Sequence, residues 1–292
     1  MLTIFSIPKG FQGNNAIIQE NALASWSKLS PVCQLVLCGD DPGVAEIAAK
    51  YGATHLPDIE RTELGTPLLS SAFQQVVEIA EHSQLCYVNA DIILFDSIVK
   101  AADKVSFDDY LLIGQRWDTR VDELIIMDHE GWDQAVITKA LNNGRTHGPT
   151  GMDFFVFPKF SRLTPIPPFA VGRPGWDNWM VSRALDLKIH IVDLTGFVVA
   201  LHQNHDYEHV PCATGQRWEG PEADHNLHLL GLGRRYPPDI RDATHTLKRR
   251  DIKRVTPCAH IARHVQRHPL KKHVYALLRP FKRAFLGRGE QP

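Results

Sequence analysis

At 292 residues and 43% hydrophobic, the chain fills one large α/β domain with an appendage, or two modest domains. Its formal net charge of −1 hides a split: 13 Lys and Arg face two acids from Lys248 onward, against 19 basic and 31 acidic groups before it. Five scattered cysteines (Cys33, Cys38, Cys86, Cys212, Cys258) with no CxxC spacing exclude a disulfide frame or zinc site and point to a reducing, cytoplasmic setting.

The opening MLTIFSIPKG has no charged leader or cleavage site, so a first strand, not a signal peptide, is expected over Leu2 to Ile7. Apolar spacing predicts a helix over Asn14 to Leu29, a buried strand over Cys33 to Cys38 and a helix over Val44 to Tyr51 capped by Gly52. A short strand at His55-Leu56, a helix from Thr66 to Glu81 with Pro67 in its first turn, and a strand over Leu85 to Val88 follow. Three successive strand–helix units imply a parallel sheet with helices on both faces, and ligands in such sheets sit at the carboxyl ends of the strands. Farther on, strands are expected over Leu111 to Gln115, Phe154 to Phe157, His190 to Val192 and Phe197 to Leu201. Helices are expected over Asn178 to Leu187 and around Glu222 to Leu230. No run of apolar residues approaches the roughly 20 needed to cross a bilayer; Ile189 to Val199 is broken by His190, Asp193 and Thr195.

Three segments carry chemistry. Leu85 to Leu94 reads as a buried strand interrupted by Asn89-Ala90-Asp91. A carboxylate at a strand lip is costly to desolvate and needs a strong partner, such as a divalent cation that also holds a diphosphate. The plain alternative is an Asx turn. Gly172 to Trp179 delivers Asp177 to a helix start, where it serves either as an N-cap or as a base. Phe197 to Tyr207 is an apolar run ending in His202, with His205 its rival.

Taken in this order, Asp91, Asp177 and His202 resemble the site of GT-A fold glycosyltransferases of the nucleotide-diphospho-sugar transferase superfamily. The resemblance covers roughly residues 2 to 245. It extends to a group of bacterial and plant members with "NADI", "WDNW" and "HQNHDY" segments. It implies a mixed, mostly parallel GT-A sheet with helices on both faces over 1–245, followed by a basic tail over 246–292 that is partly helical or flexible. It further implies transfer of a sugar from a nucleotide-diphosphate donor to a glycan, lipid or small-molecule acceptor, with inversion at the anomeric carbon.

For the site, the resemblance implies that Ile7, Pro8 and Lys9 touch the nucleotide and that Asp40 or Asp41 stands near base or ribose. Arg61 would hold the diphosphate through its planar fork, and Gly65 would let backbone approach the ligand. Asn89 and Asp91 form the variant "DxD" element, and Asp91 with His202 would bind Mn²⁺ or Mg²⁺. Asp177 would be the general base, with Arg116, Asp153 and Trp176 on the acceptor side. Asn89 stands where the family has a first Asp, which either lowers cation affinity or turns the residue to the ribose; a metal-independent enzyme is the remaining option.

The tail interleaves Lys271, Lys272, Lys282 and Arg283 with apolar residues, as in segments that lie peripherally on anionic membranes; a solvated tail is the alternative. No nucleic-acid-binding module accompanies that charge, so nucleic acid is not an expected partner. Three other functions compete. A nucleotidyltransferase would show a GxGxR-type loop where Pro8-Lys9-Gly10-Phe11 stands. A non-catalytic sugar-nucleotide-binding protein would bind without turnover. A metal hydrolase would need a second ligand cluster beside His202 to Asp206.

Overall fold

A computed structural model of the chain describes residues 1–204, 219–231, 237–249, 251–256 and 258. By its internal contacts the chain divides into two units, Met1–Arg254 and Val255–Pro292. Of the second unit, only Val255, Thr256 and Cys258 are among the described residues. Cys212 and His205 also fall outside them, as does nearly all of the basic tail, including the segment read as membrane-facing.

The first unit opens with β1 (Leu2–Ser6), α1 (Gly13–Ser27), β2 (Gln34–Cys38), α2 (Val44–Lys50), β3 (Thr54–Leu56), α3 (Leu69–Ile79) and β4 (Gln84–Val88). Next come β5 (Ile92–Ile93), α4 (Ser97–Ala102), β6 (Tyr110–Gln115), β7 (Trp117–Arg120), α5 (Trp132–Asn143), β8 (Arg145–Thr146) and β9 (Met152–Pro158). The order closes with α6 (Trp176–Asp186), β10 (His190–Asp193), β11 (Leu201–Asn204), α7 (Pro221–Leu230), β12 (His245–Lys248) and β13 (Asp251–Arg254). The main sheet has the order β13-β12-β10-β6-β9-β4-β1-β2-β3. It is parallel from β4 through β1 and β2 to β3, and again from β6 through β10 to β12. Only β9, inserted between β4 and β6, and the edge strand β13 run against their neighbours. The fold class read from the sequence, α/β with a mixed and mostly parallel sheet, is the one observed. The domain limit read at residue 245 coincides with the first residue of β12, and sheet pairing continues to Arg254.

Both faces of the sheet are covered, because side chains alternate along each strand. Leu2 and Ile4 of β1 face a cluster with Leu23 and Trp26 of α1 and Val44 of α2. Phe5, one step along the strand, faces Phe73 and Val76 of α3 and Met180 of α6. A smaller four-stranded sheet, β5-β11-β7-β8, is built from the segments that follow β4, β6 and the late apolar run.

Three local readings need correction. The third helix begins at Leu69, not Thr66, because Pro67 and Leu68 are drawn into bridges with Arg61 and Ala170. The late strand is Leu201–Asn204, not Phe197 to Leu201: Phe197 and Val198 turn back to donate to the Leu194 carbonyl. The last central helix starts at Trp176, with Gly175 at φ 105° as its N-cap, so Asp177 lies inside the first turn and is not the cap. Strands β5, β7 and β8 and helices α4 and α5 had no clear periodicity to announce them; α5 buries one residue, Ala140.

Phe73 sits among Phe5, Tyr87 and Phe157 with ring centroids 5.0, 5.8 and 5.6 Å away. Removing it leaves a cavity in close-packed surroundings. Phe73→Ala is therefore expected to cost about 3–5 kcal/mol, read as a lower urea midpoint at unchanged slope. A loss under about 1 kcal/mol would contradict this packing.

Candidate active site

The antiparallel strand β9 gives the site its shape. Its first residues lie beside the carboxyl end of β4, so the Asn89 amide N–H donates to the Asp153 carbonyl at 3.0 Å, and Asn89 Nδ2 donates to Asp153 Oδ1 at 2.7 Å. Arg116, just past β6, donates from Nη1 to both oxygens of Asp153 at 2.9 and 3.1 Å. Its Nε donates to Asp118 Oδ1 at 2.9 Å. His147 Nδ1 meets the other oxygen of Asp118 at 2.7 Å. Asp118 and Asp153 are each 7% exposed and His202 is 4% exposed.

The small sheet completes the arrangement. In the parallel pairing of β7 with β11, His202 stands opposite Asp118; in the antiparallel pairing with β5 it stands opposite Ile92. The imidazole therefore lies between two carboxylates, with Nε2 3.4 Å from Asp91 Oδ2 and Nδ1 3.4 Å from Asp118 Oδ1. The next residue, Gln203, is fully buried and anchors the main chain of Asp91: its backbone N–H and Nε2 both donate to the Asp91 carbonyl, at 3.3 and 3.2 Å. Its amide also donates to Ile18 of α1 and accepts from Asn21, whose carbonyl oxygen in turn accepts from the Ile125 N–H.

Three carboxylates and one guanidinium leave this group with excess negative charge. Burial works against the charge on Arg116, but Asp153 and Asp118 outweigh it and raise its pKa. Burial likewise opposes ionisation of Asp118, and the bonds from His147 and Arg116 overcome it and lower its pKa. For His202 burial favours the neutral ring, yet the hydrogen bond and charge of Asp91 win and raise its pKa. The donor set fits a hard or borderline divalent ion. Asp91 Oδ2 and His202 Nε2, 3.4 Å apart, are the oxygen and nitrogen donors that such an ion would take. Among the described residues no set of three His, Cys, Asp or Glu forms a cage. Two protein ligands with phosphate and water filling the rest is the usual way Mg²⁺ is held.

Asp177 is half-buried in the first turn of α6, where its Oδ1 accepts from the Asn178 N–H at 2.8 Å. Burial pushes its pKa up to about 6 against that hydrogen bond, and the charge of Asp153 adds to the rise. Trp176, which the resemblance puts on the acceptor side, packs into the core. It is 6% exposed, with its ring 4.9 Å from those of Tyr87 and Phe155, and belongs to the core.

On the far side of β1, at the end of β2, a second group forms. Arg61 pairs with Asp40 and, at 3.4 Å, with Asp41, and its Nη1 donates to the Gly65 carbonyl at 2.8 Å. The Arg61 bond and charge hold the Asp40 carboxyl below its ordinary pKa. Gly65, at φ 83°, adopts a turn that an L side chain would strain. Ile7 and Pro8 are buried, and the Lys9 main chain is clamped in both directions by the Gln19 amide at 2.7 and 2.8 Å. Sequence reasoning did not single out Glu222. It accepts from Thr62 Oγ1 at 2.5 Å, Thr66 Oγ1 at 2.9 Å and Arg173 Nε at 2.9 Å, tying the Arg61 loop to the loop before α6.

No protein-family model matches the sequence, and no curated protein does. Among solved structures, the chain is similar to Mycobacterium tuberculosis glucosyl-3-phosphoglycerate synthase in complex with Mg²⁺ and uridine diphosphate. The two are 14% identical over 82% of this chain and 80% of that one, with a TM-score of 0.45. The same synthase with Mn²⁺, uridine diphosphate and glucosyl-3-phosphoglycerate is 12% identical over 87% of each chain, again with a TM-score of 0.45. S. aureus TarS (residues 1–349) with uridine diphosphate is 14% identical over 44% of this chain and 39% of that one, with a TM-score of 0.32. What those proteins bind is a property of those proteins, and the chemistry of this chain rests on its own residues.

The raised pKa of Asp177 has a sign. Between its ordinary value of 3.8 and about 6 the native state holds a proton that the unfolded chain has lost, so stability falls as pH rises through this window. Asp177→Asn removes the penalty. Melting of the wild type is expected to fall relative to the variant between pH 4.5 and 7, and parallel curves would contradict the assignment.

Proposed function

We propose that the chain is a glycosyltransferase that moves a sugar from a nucleoside-diphosphate donor to an acceptor hydroxyl with the aid of a divalent cation. The observation that carries this reading is the convergence of Asp91 and His202, from two separate segments, at the carboxyl edge of the sheet. These two side chains would hold Mn²⁺ or Mg²⁺, which when bound supplies positive charge against the departing nucleoside diphosphate.

The chain's own residues do the rest. Asp177, with a pKa of about 6, is ionised near neutral pH yet basic enough to take the acceptor's proton as its oxygen bonds to the anomeric carbon. Attack from that side inverts the carbon while the bond to the diphosphate breaks on the other. Asp153 has three of its roughly four acceptor positions filled by Arg116 and Asn89, which leaves one for a sugar hydroxyl. Asp40, Arg61 and Gly65 form the wall for base, ribose and diphosphate, and Ile7 to Lys9 the loop beside it. A diphosphate would draw Arg61 from Asp40, an exchange of one anion for another on the same fork. The transferase-like domain comprises the first unit of the chain, and the basic tail is its peripheral contact with an anionic surface. No described helix is long and apolar enough to cross a membrane.

A second reading, a sugar-nucleotide-binding protein without turnover, draws on the commitment of the Asn89 amide to Asp153, which leaves Asp91 as the tripeptide's one carboxylate.

A thermal-shift series of nucleoside diphosphates and nucleotide sugars, each with Mn²⁺ and with EDTA, tests the donor site. A ligand at about 100 times its Kd adds roughly 2.7 kcal/mol to the native state. One nucleotide family is expected to stabilise the protein only with Mn²⁺, and Asp91→Ala to abolish the effect. Folded protein that responds to none of them would overturn the proposal; binding with no hydrolysis or transfer of the sugar would favour the second reading.

A further inference from the structure

We propose that Glu222 is a positioning residue that holds the 61–67 loop in the shape from which Arg61 meets a donor diphosphate. The inference rests on the donor-site reading above. The base of this loop is fixed by main chain alone. Arg61 bridges Pro67, Leu68 bridges Ala170, and the Val171 N–H donates to the Pro67 carbonyl at 3.0 Å. Its tip is different. Glu63, Leu64 and Gly65 are exposed, so apolar packing does not fix them.

Polar bonds hold the tip instead, and they converge on Glu222. The Leu64 and Thr66 N–H groups donate to Thr62 Oγ1 at 3.2 and 3.1 Å. That hydroxyl in turn donates to Glu222 Oε1 at 2.5 Å, and Thr66 Oγ1 donates to Oε2 at 2.9 Å. The tip so held presents the Gly65 carbonyl, which accepts from Arg61 Nη1 at 2.8 Å and sets the plane of the guanidinium. Glu222 is 7% exposed and also takes Nε and Nη2 of Arg173 at 2.9 and 2.8 Å. With two hydroxyls and two guanidinium nitrogens upon it, the carboxylate acts through its neighbours and not on a ligand. One helical turn on, Asn226 is fully buried and binds the Ala170 N–H and carbonyl at 2.9 and 3.0 Å. Helix α7 is thereby seated independently of the loop tip, and Glu222 has a fixed base from which to hold it.

A Glu222 that only docks α7 would change stability and leave diphosphate affinity of the folded protein unaltered. The test is calorimetric titration with uridine, adenosine, guanosine and cytidine diphosphate, each with Mn²⁺, beside amide hydrogen exchange at Leu64 and Thr66. Glu222→Ala should weaken the diphosphate that binds about 10–100-fold and speed exchange at both amides. Glu222→Gln, which keeps the side-chain length and an acceptor oxygen, should lose less. In an Arg61→Ala background the alanine substitution should cause no further loss, because its effect passes through the Arg61 fork. Unchanged affinity in a folded Glu222→Ala, or a loss of equal size without Arg61, overturns the proposal. If Glu222→Ala does not fold, Thr66→Val and Thr66→Ser take its place. Valine should weaken binding and serine, which keeps the hydroxyl, should not; equal affinities overturn the proposal. Absence of binding by every nucleotide in the wild type would sink the donor-site reading. Exchange at Leu64 and Thr66 would then rule on Glu222 alone, and unchanged rates in Glu222→Ala would overturn its role.

Discussion

Burying carboxylates is the constraint around which this site is organised. Asp118 and Asp153 are both withdrawn from water, and an ionised carboxylate so placed costs several kcal/mol unless it is paired and hydrogen-bonded. A single guanidinium, Arg116, bridges the two, taking Asp153 through one terminal nitrogen and Asp118 through Nε. Lysine would not substitute, because a point charge on a flexible stem has no planar fork with which to hold two carboxylates in fixed directions. One positive charge does not offset three carboxylates, however. Asp91, side chain 23% exposed, stands at the open side of the group.

Around this centre the supporting bonds come from distant parts of the chain. Gln203 joins β11 to α1 and to the Asp91 carbonyl; Asn21 joins α1 to the segment before α5; Glu222 joins α7 to the Arg61 loop and to Arg173. Each of these side chains is almost wholly buried and uses both ends of its polar group, so removing one would strand its partners as well. Such anchoring holds donor atoms in place before a ligand arrives, which limits the reorganisation that binding would otherwise demand.

The sequence announced the parts of this structure that local periodicity encodes. The β–α alternation through β4 was legible because each strand is a short apolar run and each helix has a buried face. Asn89, Asp91 and His202 were legible because they interrupt or follow apolar runs. Asp118, His147 and Gln203 carried no such signal. Their importance comes from the pairing of β7 with β11, from the crossing of β9 between β4 and β6, and, for Gln203, from a bond to Ile18, 185 positions away. The same long-range pairing explains the misplaced late strand: the apolar stretch 197–200 looked like a strand, but the ladder to β7 begins only at Leu201. Trp176 stays open between ligand and core for a related reason, since a tryptophan beside an acidic helix start looks the same in sequence in either place.

Asn89 makes sense in these terms. A carboxylate at that position would lie against Asp153, whose Oδ1 now accepts from the Asn89 amide at 2.7 Å. Two like charges at such a distance in a half-buried setting would force one to take up a proton. Arg116 is already shared between Asp153, through Nη1, and Asp118, through Nε. An amide of the same shape supplies the donor that Asp153 needs and adds no charge to a site that already holds an excess. The Asn89 amide and the Arg116 guanidinium thus both donate to Asp153, while Arg116 Nε serves Asp118.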